Sequence, residues 1–582
     1  MCGIWAIFGC SNDREAGQLC SSSMKISHRG PDAFRIENVH CLDNCCLAFY
    51  RLAIMGPQFG MQPMRISSFP HIWLIFNGEI YNYLKVQQEF GFDYKTECDA
   101  ESIIHLYAHG GIEFAASMLD GVFAFCLLDT QKRQVFMARD TYGVKPLFRL
   151  FDEELGLLAM CSEGKGLMGV AEVKKESKAR VDTFQPGCYA AYTIGNDSKV
   201  TQDVAEKQFH AIEKIPKWTS VDGHVEPNDE CVLANIRLLI TEAVKKRLMS
   251  TRRIGCMLSG GLDSSLIAAL VTKYSKEAGH KYPIQTFSIG MEGSTDILAA
   301  RKVADFIKSE HHEVIFTAEE GIKNLDELIY FLESYDITTV RASTGMYLLS
   351  RYISDKTNTI VIFSGEGSDE VAQGYIYFHK APSHEQADEE GKRIMRDLHL
   401  FDVLRADRTT AAHGLELRVP FLDHQFTSYY LSLPSEIRRP TKGIEKYLIR
   451  KAFDGMGLLP DDILWRPKEA FSDGISSCKQ SWHKLLQAHI ESKVSDEMME
   501  NAPKRFPYNP PHFKEAYFYR DLFESHYGGY SHWIPYYWMP KWTASRDPSA
   551  RSLDHYKKSD VTSDKRRRVR AKGDKYDTKR NL

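Results

Sequence analysis

The chain has 582 residues, which is too many for one hydrophobic core, so two or more domains are expected. Hydrophobic residues make up 43%, charged residues 26%, and the formal net charge is -3, a balance that does not indicate nucleic-acid binding. No apolar run approaches the roughly 20 residues that cross a bilayer, and Met1–Trp5 lacks the basic segment of a signal peptide. The 13 cysteines show no paired spacing, which favours a reducing compartment. We therefore expect a cytosolic protein without a membrane or nucleic-acid partner.

Short apolar runs separated by turns fill the chain from Cys2 to about residue 194. The pattern predicts antiparallel strands at CGIWAIFG, CCLAFYRLAI, HIWLIF, GVFAFCLLD, QVFMARD, GLLAMCSE and CYAAYTI. The main helix candidate is ESIIHLYAHG, after Asp99. Packed sheets with few helices indicate an α+β domain over residues 2–205. Residues 196–229 are poor in apolar periodicity, and we assign a linker to residues 206–230.

From residue 231 onward, predicted helices alternate with predicted strands. The helices are VLANIRLLITEAVKKRLM and SSLIAALVTKYSKEA, and the strands are RRIGCML, YPIQTFSIGM and TIVIF. This alternation implies an α/β domain with a doubly wound parallel sheet and additional helices over residues 231–545. Residues 546–582 contain the basic run KRRRVR and few large apolar residues. A solvated, disordered tail is favoured there over a ligand for nucleic acid or a transport receptor.

Cys2 can act as a nucleophile that has its own base. Once Met1 is removed, an α-amine with a pKa of about 8 lies on the same residue and can accept the thiol proton. Gly3 allows a substrate to approach the backbone closely, and IWAIF would hold the terminus on a strand. A cysteine at this position is weak evidence alone, because most cysteines are small buried hydrophobes.

Further segments add the parts of a site for an amino-acid amide. Arg51 has a planar fork that suits an α-carboxylate. Asn77 and Gly78 offer an amide side chain and a backbone N–H for an oxyanion, and Asp99 can hold an ammonium group. Each also fits a turn or a surface charge. Their combination with Cys2 favours a functional site.

Cys2-Gly-Ile, Arg-Gly-Pro-Asp at 29–32 and Asn-Gly-Glu at 77–79 resemble the glutaminase domain of the N-terminal-nucleophile (class II) amidotransferases. The resemblance implies an αββα sandwich, with Cys2 as nucleophile and Asn77 and Gly78 as oxyanion donors. The glutamine site that it implies consists of Arg51, Leu52, Ala53, Ile54, Met55, Asn77, Gly78, Glu79 and Asp99.

A second set of motifs follows predicted strands in the later part of the chain. SGGLDS at 259–264 lies between a strand and a helix, where backbone N–H groups can bind an anion, and it lacks the lysine of the common P-loop. SGEGSDE at 364–370 follows TIVIF in the same way. Since the carboxyl ends of parallel strands meet at one edge, we expect one site there. Asp263 and Asp369 would be its Mg²⁺ ligands.

Ser-Gly-Gly-x-Asp-Ser resembles the pyrophosphate loop of the ATP pyrophosphatases, which transfer adenylate to a substrate and release pyrophosphate. Both domains in this order resemble the eukaryotic type of the glutamine-hydrolysing asparagine synthetase family, as far as about residue 557. The matching segments include TTVRAS at 338–343, FDVLRADR at 401–408, HGLELRVPFLD at 413–423 and RPKEAFSDG at 466–474. The resemblance implies ATP and Mg²⁺ as cofactors, aspartate and glutamine or ammonia as substrates, β-aspartyl-AMP as intermediate, ammonia channelling and a homodimer.

The same resemblance implies the residues of the synthetase site. Glu366 would be the general base for ammonia, and Lys468 would neutralise phosphate charge. ATP would contact Leu258, Ser259, Gly260, Gly261, Asp263, Ser264, Ile289, Ser364 and Gly365. The aspartate or phosphate end would contact Thr338, Arg341, Asp402 and Arg405.

Three alternatives share some of these features. A β-lactam-forming synthetase has a similar second domain, but such relatives tend to lack the N-terminal cysteine. A tRNA-modifying thiolase should add RNA-binding modules or paired cysteines, and a catalytically inactive scaffold should show decayed motifs. Formation of AMP, pyrophosphate and asparagine distinguishes a synthetase from all three.

Overall fold

The computed structural model describes residues 1–549 except 12, 43, 57–59, 174–178, 219–220, 222–228, 470–473, 477–480 and 546. Apart from residues 547–549, the expected tail lies outside the described residues. In the described part of the chain, no helix is both long and apolar enough to cross a membrane.

Two six-stranded antiparallel sheets form the N-terminal part. The first contains β1 (Gly3–Phe8), β2 (Ala33–Asn38), β3 (Cys46–Arg51), β8 (Phe148–Asp152), β9 (Leu157–Cys161) and β10 (Val181–Thr183), in the order β10-β8-β9-β1-β3-β2. The second contains β4 (Met64–Ile66), β5 (Phe69–Ile80), β6 (Gly121–Asp129), β7 (Gln134–Arg139), β11 (Cys188–Ile194) and β12 (Val200–Gln208), in the order β12-β11-β7-β6-β5-β4.

The two sheets pack face to face and are covered by helices on their outer faces. Alternate side chains of β1, such as Ile4 and Phe8, share a core with Ile75 on β5. The other face of β1 packs Trp5 beside Leu167, and helix residue Ile103 packs on the outer face of the second sheet. Because successive strand residues point to opposite faces, each strand serves both a central and an outer core. The layers confirm the expected αββα sandwich.

A five-stranded parallel sheet forms the centre of the C-terminal part. It contains β13 (Arg253–Met257), β14 (Gln285–Gly290), β15 (Glu310–Ile315), β16 (Thr359–Phe363) and β17 (Glu416–Arg418), in the order β15-β14-β13-β16-β17. The chain adds strands on one side of β13 and then on the other. Ligands of open α/β sheets bind at such a switch point, here between the carboxyl ends of β13 and β16.

Helices surround the sheets in both parts. Those of the N-terminal part are α1 (Asp13–Leu19), α2 (Tyr83–Phe90), α3 (Glu101–Met118) and α4 (Lys165–Val173), with a 3₁₀ helix at Cys20–Arg29. The next are α5 (Asp229–Lys246), α6 (Leu262–Ser275), α7 (Thr295–Ile307), α8 (Ala318–Lys323), α9 (Leu325–Leu332), α10 (Ile337–Lys356), α11 (Ser368–Val371), α12 (His384–Asp397) and α13 (Asp402–Ala411). The last are α14 (His424–Ser432), α15 (Ser435–Arg438), α16 (Tyr447–Phe453), α17 (Asp461–Leu464), α18 (Trp482–Glu491), α19 (Asp496–Arg505) and α20 (Lys514–Tyr527), and further 3₁₀ turns occur at Ile376–Lys380, Leu398–Leu400, Pro420–Leu422 and Ser531–Trp533.

The predicted strands are all present, but seven other strands were not predicted, namely β2, β4, β8, β10, β12, β15 and β17. β12 is an edge strand whose side chains are mostly exposed, which explains why its sequence lacks apolar periodicity. It continues into the first residues of the expected linker. β15 is likewise a polar edge strand. β17 has only three residues, too few for a periodic pattern.

Candidate active sites

Cys2 lies at the start of β1, beside the residue that follows β3. Its Sγ is 3.4 Å from the backbone nitrogen of Leu52 and 3.5 Å from the carbonyl oxygen of the same residue. Burial raises the pKa of the Cys2 thiol, so a base is required to generate the thiolate. A cavity beside it is lined by the expected residues Cys2, Arg51, Leu52, Ile54, Met55, Gly78, Glu79 and Asp99, together with Gln62 and Glu416, which were not expected.

The backbone and amide of Asn77 and Gly78 are held at the end of β5. Asn77 is fully buried, and neither atom of its amide has a hydrogen-bond partner among the described residues. Such groups are rare in folded proteins, but Asn77 itself does not line the cavity beside Cys2, whereas Gly78 does. Gly78 has a φ of 153°, and a Cβ there would lie 2.1 Å from the carbonyl oxygen of Val122. Only glycine fits this close approach to β6.

Two buried carboxylates, Glu79 and Asp99, face the same cavity. Burial raises the pKa of Asp99 to about 6 even though the backbone nitrogen of Ile80 donates to it at 2.6 Å. Burial, together with the nearby charge of Asp99, raises the pKa of Glu79. Arg418, on β17 of the C-terminal sheet, lies 3.5 Å from Glu79. The two carboxylates can therefore bind an ammonium group. Arg418 supplies a positive charge to them from the C-terminal part of the chain.

Ala53 does not line this cavity. Its backbone nitrogen donates to Asp32 Oδ2 at 2.8 Å, so Ala53 joins the end of β3 to the turn HRGPD at 28–32. Arg51 lines the cavity and donates to the carbonyl oxygen of Gly56 at 2.7 Å.

Arg29 connects Cys2 to the C-terminal part, a role that the HRGPD motif did not reveal. Its Nε donates to the carbonyl oxygen of Cys2 at 3.0 Å, and its two terminal nitrogens contact Asp407 on α13 at 2.9 and 3.0 Å. The Met1 nitrogen lies 3.2 Å from the carbonyl oxygen of Leu415 and 3.4 Å from Glu416. These residues lie within segments quoted above, but only the folded chain brings them to Cys2.

A second cavity, of about 200 Å³, lies at the carboxyl edge of β13, β14 and β16. Of the residues expected there, it is lined by Leu258, Ser259, Gly261, Asp263, Ser264, Ile289, Thr338, Ser364, Gly365, Glu366, Asp369, Asp402, Arg405 and Lys468. Gly260 and Arg341 do not line it. Gly260 has a φ of 71°, and a Cβ there would meet the backbone nitrogen of Ala300 at 2.4 Å. It therefore shapes the turn against α7.

The two loops of this cavity touch through their backbones. A Cβ on Gly365 would lie 2.7 Å from the nitrogen of Ser264. Ser368 donates to Asp263 Oδ1 at 2.8 Å, which ties the second loop to the first. The two loops are therefore in direct contact at the carboxyl ends of neighbouring strands.

Asp263 and Asp369 share one cation, the Lys446 ammonium, which the sequence did not identify. Lys446 Nζ contacts Asp263 and lies 2.6 Å from Asp369 Oδ1. Lys468 Nζ lies 2.5 Å from the other oxygen of Asp369. Burial acts to raise the pKa of Asp369, but the two lysines outweigh it and hold it below its ordinary value. Lys446 has space for its chain because Gly374 has no side chain: a Cβ there would lie 2.0 Å from Lys446 Cε.

Glu366 and Asp402 meet at Arg405. The guanidinium lies 2.9 Å from Glu366 Oε2 and 2.7 Å from Asp402 Oδ1. Burial raises the pKa of Glu366 although Arg405 opposes this shift. A carboxylate with a raised pKa is a stronger base than an ordinary glutamate.

Arg341, expected at the aspartate or phosphate end, does not line the second cavity. Its guanidinium is 3% exposed and pairs with Glu515 at 2.6 Å and Asp547 at 2.8 Å. Thr338, one turn earlier on α10, reaches the cavity and has a buried hydroxyl without a hydrogen-bond partner in the described part. The helix thus turns Arg341 toward α20, and its expected role at the aspartate or phosphate end remains a prediction.

Comparisons with known proteins agree with this division into two sites. Residues 1–206 match the family model described as glutamine amidotransferase domain, and residues 235–395 and 382–548 match the asparagine synthase model. The fold, the sites and these models define the class: a glutamine amidotransferase domain joined to an asparagine synthase domain.

Full-length relatives narrow this class. The glutamine-hydrolysing asparagine synthetases of Gallus gallus, Homo sapiens and Mus musculus are each 58% identical to the chain, over 564, 562 and 560 residues. Each match covers 96% of this chain and 99% of the relative. The chain belongs to the family of glutamine-hydrolysing asparagine synthetases.

Proposed function

We propose that the chain converts aspartate to asparagine, with ammonia released from glutamine at Cys2 and with ATP cleaved to AMP and pyrophosphate. The observation that carries this proposal is the pairing of Arg29 with both the Cys2 carbonyl and Asp407. It links a thiol site to the helix whose other end carries Asp402 and Arg405 of the second cavity. Two chemically different sites are thereby held in one assembly.

At the first site, Cys2 attacks the side-chain amide of glutamine. The Cys2 α-amine, free after Met1 is removed, accepts the thiol proton and returns it to the leaving ammonia. The amide of Asn77 and the N–H of Gly78 stabilise the oxyanion. Arg51 binds the substrate carboxylate, and Glu79 and Asp99 bind its ammonium group. Leu52, Ile54 and Met55 line the remaining wall, and water then releases glutamate from the thioester.

At the second site, the β-carboxylate of aspartate attacks the α-phosphate of ATP, which gives β-aspartyl-AMP and releases pyrophosphate. N–H groups of the SGGLDS loop and the Lys468 ammonium receive the phosphate charge, and Leu258 and Ile289 line the nucleotide cavity with Ser364 and Gly365. Ammonia attacks the activated carbonyl while Glu366 accepts a proton, and AMP leaves. Thr338, Asp402 and Arg405 hold the aspartate end.

Mg²⁺ fits the carboxylate pair of this cavity. Asp263 and Asp369 are close enough to share the single ammonium of Lys446. Among the described residues, no cluster of three or more His, Cys, Asp or Glu side chains forms a metal cage. Two carboxylates completed by phosphate oxygens are the usual Mg²⁺ arrangement. When bound, the ion neutralises phosphate charge.

Ammonia is proposed to pass between the domains without entering bulk water. The support is β17, whose Glu416 lines the Cys2 cavity while its neighbour β16 leads directly to the loop of Glu366. In this proposal residues 2–205 and 231–545 are the two working domains, joined by the linker 206–230 and followed by the tail 546–582.

The division of labour is tested with Cys2→Ala. The variant should lose glutamine-dependent synthesis at least a hundredfold and retain synthesis from ammonium within twofold, because only the first site uses the thiol. Cys20→Ala is the matched control, since this partly exposed thiol lies outside the cavity. Equal loss of both activities, or ADP and phosphate in place of AMP and pyrophosphate, would contradict the proposal.

The proposed compartment is the cytosol and the proposed partner is a second copy of the chain. Strand β2 is an open edge with Phe34 68% exposed and Ile36 37% exposed. Antiparallel pairing about Ile36 would oppose Arg35 and Glu37 of the two copies, which suits a twofold axis. Light scattering should give a molar mass of twice the 66.5 kDa of the chain. The Phe34→Asp variant should give a lower molar mass. A monomeric wild type excludes this pairing.

A further inference from the structure

Glu370 is a buried carboxylate of the second cavity that the proposed mechanism does not use. It follows Asp369 on α11, is 3% exposed and lines the cavity. Its Oε1 accepts a hydrogen bond from the Tyr375 hydroxyl. Its Oε2 is buried and has no hydrogen-bond partner among the described residues. Glu370 Oε2 can therefore accept a hydrogen bond from a ligand.

The neighbouring carboxylates of this cavity are already compensated. Asp369 is paired with two lysines, and Glu366 and Asp402 are paired with Arg405. Asp336 accepts hydrogen bonds from the backbone nitrogens of Thr339 and Trp538. No ion pair of Glu370 occurs within the described part of the chain. Glu370 thus faces three other acidic groups without a cation of its own.

Glu390 shows how the protein treats a similar carboxylate that binds no ligand. It is fully buried and accepts from the Tyr377 hydroxyl at 3.0 Å, as Glu370 accepts from Tyr375. Outside the cavity, however, Glu390 is paired with Arg393 and Lys541, each at 2.8 Å. A buried carboxylate without a cation is costly. The missing cation of Glu370 is therefore expected from the ligand.

The position of Glu370 matches the charges of an α-amino acid. The Tyr375 hydroxyl that contacts Glu370 also lies 3.1 Å from Asp402 Oδ2. Asp402 in turn contacts Arg405, whose Nε is buried and without a hydrogen-bond partner in the described part. Acidic groups and an available guanidinium edge lie side by side, as a zwitterion requires.

We propose that Glu370 binds the α-ammonium group of the acceptor aspartate while Arg405 binds its α-carboxylate. Glu370 thereby selects an α-amino dicarboxylate over a dicarboxylate without the amine. This inference rests on the proposed function of the second site, and it assigns the specificity for the amine to one residue.

The test compares aspartate with succinate, which has both carboxylates but no amine. In the full-length protein, aspartate-dependent exchange of pyrophosphate into ATP gives the KM for aspartate, and competition gives the inhibition constant of succinate. Glu370→Gln keeps the shape and the Tyr375 contact but removes the charge. We expect the KM for aspartate to rise at least tenfold and the inhibition constant of succinate to change less than twofold.

Controls separate this role from a structural one. Glu390→Gln should leave the ratio of the two constants unchanged, and Glu370→Asp, which keeps the charge, should raise the KM for aspartate less than Glu370→Gln does. Calorimetry with α,β-methylene-ATP and the glutaminase activity of Cys2 report whether each variant is folded. An unchanged KM, or equal weakening of aspartate and succinate, overturns the inference. Absence of aspartate-dependent exchange in the wild type instead contradicts the proposed function.

Discussion

Buried carboxylates have different roles in the two cavities because their neighbours differ. Asp369 lies between two lysines, whereas Asp99 and Glu79 share one wall of their cavity, with Arg418 at 3.5 Å from Glu79. Like charges in one site favour retention of a proton. The glutamine cavity is therefore sensitive to acidification.

The activity of the first site should fall as pH decreases through about 6. Burial raises the pKa of Asp99 to about 6, and only the ionised carboxylate binds an ammonium group. Below this pH, protonation of Asp99 should add about a further tenfold decrease per unit in kcat/KM for glutamine to the decrease already caused by protonation of the Cys2 α-amine, whose ordinary pKa is about 8. Glutaminase assays across pH 5 to 8 measure the profile, with Asp99→Asn as the variant that should be uniformly impaired. A wild-type profile whose slope does not become steeper below about pH 6 contradicts this role.

The expected binding role of Arg341 can be tested at the residue scale, because its side chain lies outside the second cavity. Arg341→Met leaves Glu515 buried and without its guanidinium partner, so the free energy of unfolding should decrease by about 3–5 kcal/mol. The KM for aspartate should change less than twofold, because the side chain does not line the cavity. Calorimetry gives the free energy of unfolding, and the kinetics of pyrophosphate exchange on the same preparation give the KM for aspartate. A stable variant with a high KM would restore Arg341 to the binding site.

At the scale of elements, helix α13 belongs to both sites. Its first turns carry Asp402 and Arg405 toward the second cavity, and its later residues Asp407 and Arg408 contact Arg29 and Glu163 of the N-terminal part. Asp407→Asn removes one of the two carboxylates paired with Arg29 and leaves Glu163 at 2.5 Å as the other. We expect more than one glutamate per asparagine, whereas ammonium-dependent synthesis should change less than twofold. Amino-acid analysis measures the ratio. A ratio that remains at one excludes coupling through this contact.

Helices and strands with a clear apolar pattern could be predicted from the sequence. Their positions relative to one another could not. The buried strands β1, β5, β6 and β13 were evident because apolar runs ended in turn residues. β12 and β15 have polar edges and gave no such signal. Lys446 is 77 residues beyond the loop it contacts at Asp369, and nothing in the local pattern of either segment relates the two. Long-range ion pairs depend on the fold, which periodicity does not encode.

At the scale of the whole molecule, the glutamine site is completed by the other half of the chain. Glu79 reaches Arg418, and Glu416 lines the Cys2 cavity, both from a strand more than 300 positions later in the sequence. An excised fragment ending at Gln208 would leave a carboxylate pair buried without its counter-ion. This fragment should hydrolyse glutamine poorly even when its sandwich folds. Adding the rest of the chain as a separate polypeptide should improve the affinity of the fragment for glutamine.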